Sequence, residues 1–171
     1  VDQCVRTILS QVRLLRQIAS EFANFAGTPT PRPEPVDLAG LVDAVVRPYI
    51  LGLAGRVRFV QHVPDTLPAV HADRTLLARA VTNLVENAVQ AMPDGGTLTL
   101  RAEADGPAFV CLTVADTGIG MDDMAQARAF EPYFSTKTSG SGLGLANARR
   151  NIEISGGTIA LASRPGAGTE V

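Results

Sequence analysis

Residues 83–92 read Asn83-Leu84-Val85-Glu86-Asn87-Ala88-Val89-Gln90-Ala91-Met92, and they close the strongest helical pattern in the chain. Asn83 and Asn87 stand one turn apart on one face, while Leu84, Val85, Ala88 and Val89 turn toward the core. Asn is a mediocre helix former, and two of them stacked beside a core require a polar partner. An amide oxygen suits a hard cation such as Mg²⁺, which keeps waters and takes few protein ligands beside phosphate oxygens.

Two glycine-rich stretches downstream extend this reading. Asp116-Thr117-Gly118-Ile119-Gly120-Met121 directly follows an apolar strand pattern. A carboxylate at a strand end can accept from an exocyclic amine such as that of adenine, and glycines let a ligand approach the backbone. Gly140-Ser141-Gly142-Leu143-Gly144-Leu145 leads into a helix, whose free N–H groups and dipole form an anion site. It is neither a P-loop nor a dinucleotide fingerprint. Between them lies Phe130-Glu131-Pro132-Tyr133-Phe134-Ser135-Thr136-Lys137, whose lysine offers a point charge to phosphates and whose aromatics suit the hinge of a lid.

Working outward, Asp73 is positioned to cap a helix over residues 74–92, which Pro93-Asp94-Gly95-Gly96 ends. Residues 97–104 and 108–115 read as a hairpin around Asp105-Gly106-Pro107. Upstream, Asp37 is expected to cap a helix to about residue 51, and residues 56–63 alternate as a strand. Downstream, residues 122–129 read as a short helix, 143–155 as a longer one, 158–163 as a strand and the segment from Thr169 as another.

Residues 1–26 carry Val1, Val5, Ile8, Val12, Leu15, Ala19, Phe22 and Ala26 in alternating steps of four and three. That is a heptad stripe, and it requires a partner helix to cover it. Gly27 ends it, and Thr28-Pro29-Thr30-Pro31-Arg32-Pro33-Glu34-Pro35 follows as an extended linker through which no helix or central strand is expected to run. The expected organisation is residues 1–27, a linker at 28–36 and one domain at 37–171.

Composition narrows the classes. Apolar residues make up 46% of the 171, aromatics 5%, with no Trp, so the core is aliphatic. A net charge of −2 provides no field to attract nucleic acid. Cys4 and Cys111 are too few for a disulfide framework and read as small buried hydrophobes. No stretch is apolar enough to span a bilayer and no signal peptide stands at the start, so the piece reads as cytoplasmic. It opens in mid-helix and stops in a strand-like segment, as an excised fragment of a parent that can be anchored in the inner membrane.

In order and spacing, these segments resemble the N, G1, F and G2 boxes of sensor histidine kinases, within the ATPase group of gyrase, Hsp90 and MutL. The resemblance covers residues 37–171. It implies an α+β fold, an α/β sandwich whose mixed, mainly antiparallel sheet is backed by helices and carries an ATP lid. Residues 1–27 would be the second helix of a dimerisation hairpin. The resemblance implies ATP and Mg²⁺ as cofactors, with Asn87 ligating the metal, Asn83 supporting metal and phosphates, and Asp116 binding the adenine amino group beside Gly118 and Gly120. Gly140, Gly142, Leu143 and Gly144, with Lys137, would meet the phosphates, and Thr169 would assist near adenine. Asn87, Lys137 and Glu86 are the catalytic candidates; Glu86 could polarise a nucleophile or be a solvated helix carboxylate.

By the same likeness, the γ-phosphoryl passes to a histidine on the first hairpin helix, and then to the aspartate of a response regulator receiver domain, in a parent that is a homodimer. That helix is absent here, and His62 and His71 lie in strand-like segments, so autophosphorylation of this piece is not expected. Gln90-Ala91 stands where many histidine kinases carry Lys-Tyr, as in the nitrogen-regulation sensor branch. An anti-sigma-type serine kinase or nucleotide switch is the alternative, but it needs no heptad helix. A gyrase-like conformational ATPase carries Glu where Asn83 stands.

Overall fold

The carboxylate of Asp73 ties three segments together. Its Oδ1 accepts from the Thr75 and Leu76 amides at 2.9 and 3.1 Å, capping helix α2 (Arg74–Ala91), and its Oδ2 accepts from the Arg32 amide at 2.9 Å. The Arg32 amide first, then those of Leu76 and Thr75, hold the Asp73 carboxyl below its usual range. A lowered carboxyl stabilises the fold above its ordinary pKa, and that contribution is lost as pH falls through the lowered value. The Asp73→Ala chain is expected to lose about 1 kcal/mol, the usual worth of a cap. Urea unfolding at pH 7 measures this, and the gap between native and variant chains should narrow in acid.

The structure is a computed structural model that describes residues 5, 7–9, 11, 12, 15, 19, 30–106, 109–137 and 140–171. In chain order the elements are β1 (Glu34–Val36), α1 (Leu38–Gly52), β2 (Val57–His62), β3 (Val70–Ala72), α2, β4 (Gly96–Asp105), β5 (Phe109–Asp116), α3 (Asp123–Arg128), α4 (Gly144–Ile154), β6 (Ala162–Arg164) and β7 (Gly168–Glu170). Five strands form one sheet in the order β2-β4-β5-β7-β6, parallel only between β2 and β4. β1 and β3 make a separate antiparallel pair. This is the α+β architecture expected.

Alternation along β4 explains the layering. Leu98, Leu100 and Ala102 are buried while the alternate residues Arg101 and Glu103 are exposed, so helices cover one face of the sheet. That layer consists of α2 packed against α1 and α4, with Leu41, Val42 and Val46 of α1 and Val81, Val85 and Ala88 of α2 in the same core. At roughly 25 cal/mol per Å² of apolar surface, these aliphatic contacts are the main favourable term holding α2 against the sheet.

Several expectations need correction. Residues 34–36, assigned to the linker, form β1, and Val36 is only 1% exposed. Proline at 35 is tolerated because the pair has no third strand to need its amide. Asp37 occupies the N-cap position of α1 but makes no side-chain cap bond. Residues 158–161 are not a strand; the ladder starts at Ala162, where the Pro165-Gly166 turn sets the β6–β7 register. Cys111 is exposed, because it falls on the open face of β5 opposite Glu103. Cys4 lies outside the described residues.

Of the heptad stripe, Val5, Ile8, Val12, Leu15 and Ala19 are helical and exposed. Val1, Phe22, Ala26, the Gly27 stop, the first linker residues 28–29 and Pro107 of the predicted turn lie outside the described residues. Among the described residues no helix is long and apolar enough to cross a membrane.

Candidate functional site

The last two turns of α2, the ends of β5 and β7, the segment 130–137 and the start of α4 enclose a cavity of about 310 Å³. That is within the range of small-molecule sites, roughly 300–1,000 Å³. Asn83, Glu86 and Asn87 line one wall because they sit on the face of α2 opposite Val85, which is fully buried. Asp116 and Thr169 line the floor as partners across the β5–β7 ladder. Gly120, Lys137, Gly140, Gly142 and Gly144 complete the rim.

Gly118 and Leu143, both predicted to meet a ligand, do not line the cavity. Gly118 is required elsewhere: a Cβ there would lie 2.4 Å from the Ala91 carbonyl oxygen, so its bare backbone lets the loop pass under the end of α2. Leu143 occupies the N-cap position of α4 and is 1% exposed, a core residue.

Asp116 is a buried acid in a partly apolar recess. Its Oδ1 accepts from the Gly118 amide at 2.8 Å. Burial pushes its carboxyl above the usual range, opposed by the amides of Gly118 and Thr169 and by the charge of Lys137. The Lys137 ammonium is pushed down by burial and partly restored by Asp116. The two groups thus place opposite charges in one enclosure. Ile119, Met121, Phe134 and Leu161 supply apolar wall, which suits a flat ring whose amine faces Asp116.

On α2, the Asn87 Nδ2 donates to the Asn83 carbonyl at 2.9 Å, which fixes the amide so that Oδ1 turns to the cavity. There it accepts from Lys137 Nζ at 3.3 Å. Glu86 Oε1 accepts from the Tyr49 hydroxyl at 2.9 Å, and burial first, then the Glu86 charge and this bond, raise the Tyr49 pKa. Glu86 is therefore a half-buried carboxylate on the cavity wall, fixed by one hydrogen bond.

The sequence reading missed Tyr49 and Ser163. Ser163 Oγ accepts from the Met121 amide at 2.8 Å and lies 2.9 Å from Thr169 Oγ1, pinning the loop after Asp116 to the β6–β7 hairpin. Nothing local marks either residue, since their partners are 37 and 42 positions away. Tyr133 has a positive φ of 66°, which is uncommon for an aromatic and marks a bend in segment 130–137, where its amide donates to Gly142 O at 2.9 Å.

Comparisons with known proteins give the family and the fold. The sensor AtoS of Escherichia coli, a "signal transduction histidine-protein kinase", is 31% identical over 168 residues, 98% of this chain and 28% of that protein. The nitrogen regulation protein NtrY of Azorhizobium caulinodans is 33% identical over 171 residues, 96% of this chain and 22% of that one. The chain thus spans about a quarter of the length of these relatives. The solved structure of the mycobacterial sensor histidine kinase MprB superposes with a TM-score of 0.71 at 29% identity, covering 81% of this chain and 93% of that one. Residues 72–171 match the family described as "Histidine kinase-, DNA gyrase B-, and HSP90-like ATPase", and the chain belongs to that family of ATP-binding domains.

Proposed function

We propose that this chain is the ATP-binding catalytic part of a sensor histidine kinase, which passes the γ-phosphoryl of ATP to a histidine for relay to a response regulator aspartate. The observation that carries this reading is the convergence of Asp116, Asn87, Lys137 and the glycine-lined start of α4 on one cavity. Asp116 takes the adenine amine, and Thr169 flanks it on the neighbouring strand. Gly140, Gly142 and Gly144 bring the backbone and the α4 dipole to the phosphates, and Lys137 adds the charge. Positioning and charge neutralisation supply most of the catalysis of phosphoryl transfer.

Mg²⁺ fits the donor set. Among the described residues no cluster of three or more His, Cys, Asp or Glu side chains stands ready for a metal. Mg²⁺ does not need one, because it accepts a single protein oxygen alongside waters and phosphates. Asn87 Oδ1 would be that oxygen, exchanging its contact with Lys137 for the metal while Gln90 keeps the ammonium, and Asn83 orients the amide. Bound Mg²⁺ would neutralise charge on the phosphates. Glu86, held by Tyr49, is the carboxylate placed to receive a proton or to orient the acceptor ring.

Residues 1–27 then serve as one helix of a hairpin that dimerises through its heptad stripe. The linker is shorter than the prolines suggest, since β1 already belongs to the catalytic unit. The anti-sigma-type alternative lacks a use for that helix. His62 and His71 are exposed on strands, away from any helix that could present them. Incubation of the chain with γ-labelled ATP and Mg²⁺ is expected to give no acid-labile phosphohistidine. Adding the parent's histidine-bearing hairpin should produce it; label on the chain alone, or none with the hairpin present, would overturn the reading.

A further inference from the structure

Lys137 is held by an unusual set of partners. Its Nζ donates to Gln90 Oε1 at 3.0 Å, Asn87 Oδ1 at 3.3 Å and the Asn87 carbonyl at 3.5 Å. All three oxygens come from the end of α2, and all three are neutral. Among the described residues the ion pairs are confined to surface Arg–carboxylate contacts, and none involves Lys137. Amide dipoles hold the cation without neutralising it, and Asp116 acts on it only across the cavity, so its charge can still meet an anion.

The cradle stands at the phosphate end of the cavity. A Cβ on Gly144, the first residue of α4, would lie 2.9 Å from Asn87 Nδ2, so the start of α4 abuts the amide that also touches Lys137. The positive end of the α4 dipole and the Lys137 ammonium therefore flank the same space.

We propose that Gln90 is a positioning residue that holds the Lys137 ammonium over the nucleotide phosphates, so that helix and lid together supply one fixed cation. Segment 130–137 approaches α2 from across the cavity, and its lysine is held there by Gln90, its shortest contact, together with Asn87. The inference rests on the cavity being the ATP site.

Calorimetric titration of the 171-residue chain with Mg²⁺·AMPPNP and, separately, with adenosine tests it. Lys137→Ala should weaken AMPPNP about tenfold and Gln90→Ala several-fold, the scale of one hydrogen bond to a charged group. Adenosine affinity should be unchanged in Gln90→Ala, because the Gln90 amide carries no charge to act on Asp116. The double variant Lys137→Ala/Gln90→Lys should regain most of the lost affinity, since a lysine rooted at position 90 carries its ammonium to the same place. Equal weakening of adenosine would make Gln90 a structural residue, and a double variant no better than Lys137→Ala would also overturn the proposal. A native chain that binds AMPPNP neither with Mg²⁺ nor without would remove the ATP reading beneath it. Thermal unfolding of each variant confirms that the fold is retained, which the exposure of Gln90 favours.

Discussion

The Asp116→Asn chain is expected to lose ATP affinity by about a hundredfold or more while unfolding at a temperature equal to or above that of the native chain. The two halves of this result have different causes. On the proposed reading the carboxylate would accept from the adenine amine, and an amide at 116 can turn its NH₂ toward that amine, leaving two donors facing in a dry recess. A buried donor without an acceptor costs the full desolvation of the group, which is why the loss exceeds that of a surface contact.

Stability runs the other way. Burial holds the Asp116 carboxyl above its ordinary range, so the folded chain binds this proton more tightly than the unfolded chain does. Ionised Asp116 therefore weighs against folding above the raised pKa, and that penalty vanishes below the ordinary value of about 3.9. Asn removes the penalty while its Oδ1 continues to accept from the Gly118 amide, a bond that Ala would forfeit. ATP affinity of the native chain should also fall as acid protonates Asp116, at a pH above that at which free carboxylates titrate. Calorimetry and thermal melts settle both halves; a variant that binds ATP normally removes the adenine assignment.

This opposition between binding and stability shows what local sequence could reveal. Asp116, Asn83 and Asn87 were legible because each violates a local preference: an acid at the end of an apolar strand, and amides on a core-facing helix. The glycine-lined start of α4 was legible because a helix start has free amides wherever it falls. Gln90 looked only like a departure from a lysine, since its contact with Lys137 spans 47 positions and depends on how segment 130–137 folds back. β1 was hidden because prolines suppress strand signals while leaving edge pairing possible, and Cys111 because burial on β5 depends on which face the helices cover. Gly118 was legible as a glycine but not for its reason, the passage of the loop beneath Ala91.

The same distinction between a glycine needed for its backbone angle and one needed for its bareness yields a large stability effect expected of a single methyl group. Gly168 opens β7 at φ 86°, and a Cβ there would lie 1.9 Å from the Asp116 carbonyl oxygen. Gly168→Ala must therefore push β7 off β5 at the rung that pairs Asp116 with Thr169. Gly166, in the turn of the same hairpin, has a similar φ of 72° but nothing within 4 Å of its would-be Cβ. Gly166→Ala should cost about 1 kcal/mol, the conformational term alone, and leave ATP binding intact. Gly168→Ala adds a backbone collision to the same term and should cost roughly 2–4 kcal/mol in urea unfolding, with ATP affinity falling as the floor of the cavity opens. Equal costs for the two variants would mean that the rung at 168 yields freely, and the placement of Asp116 would then have to come from its pairing with Leu98 of β4 and from the Gly118 amide.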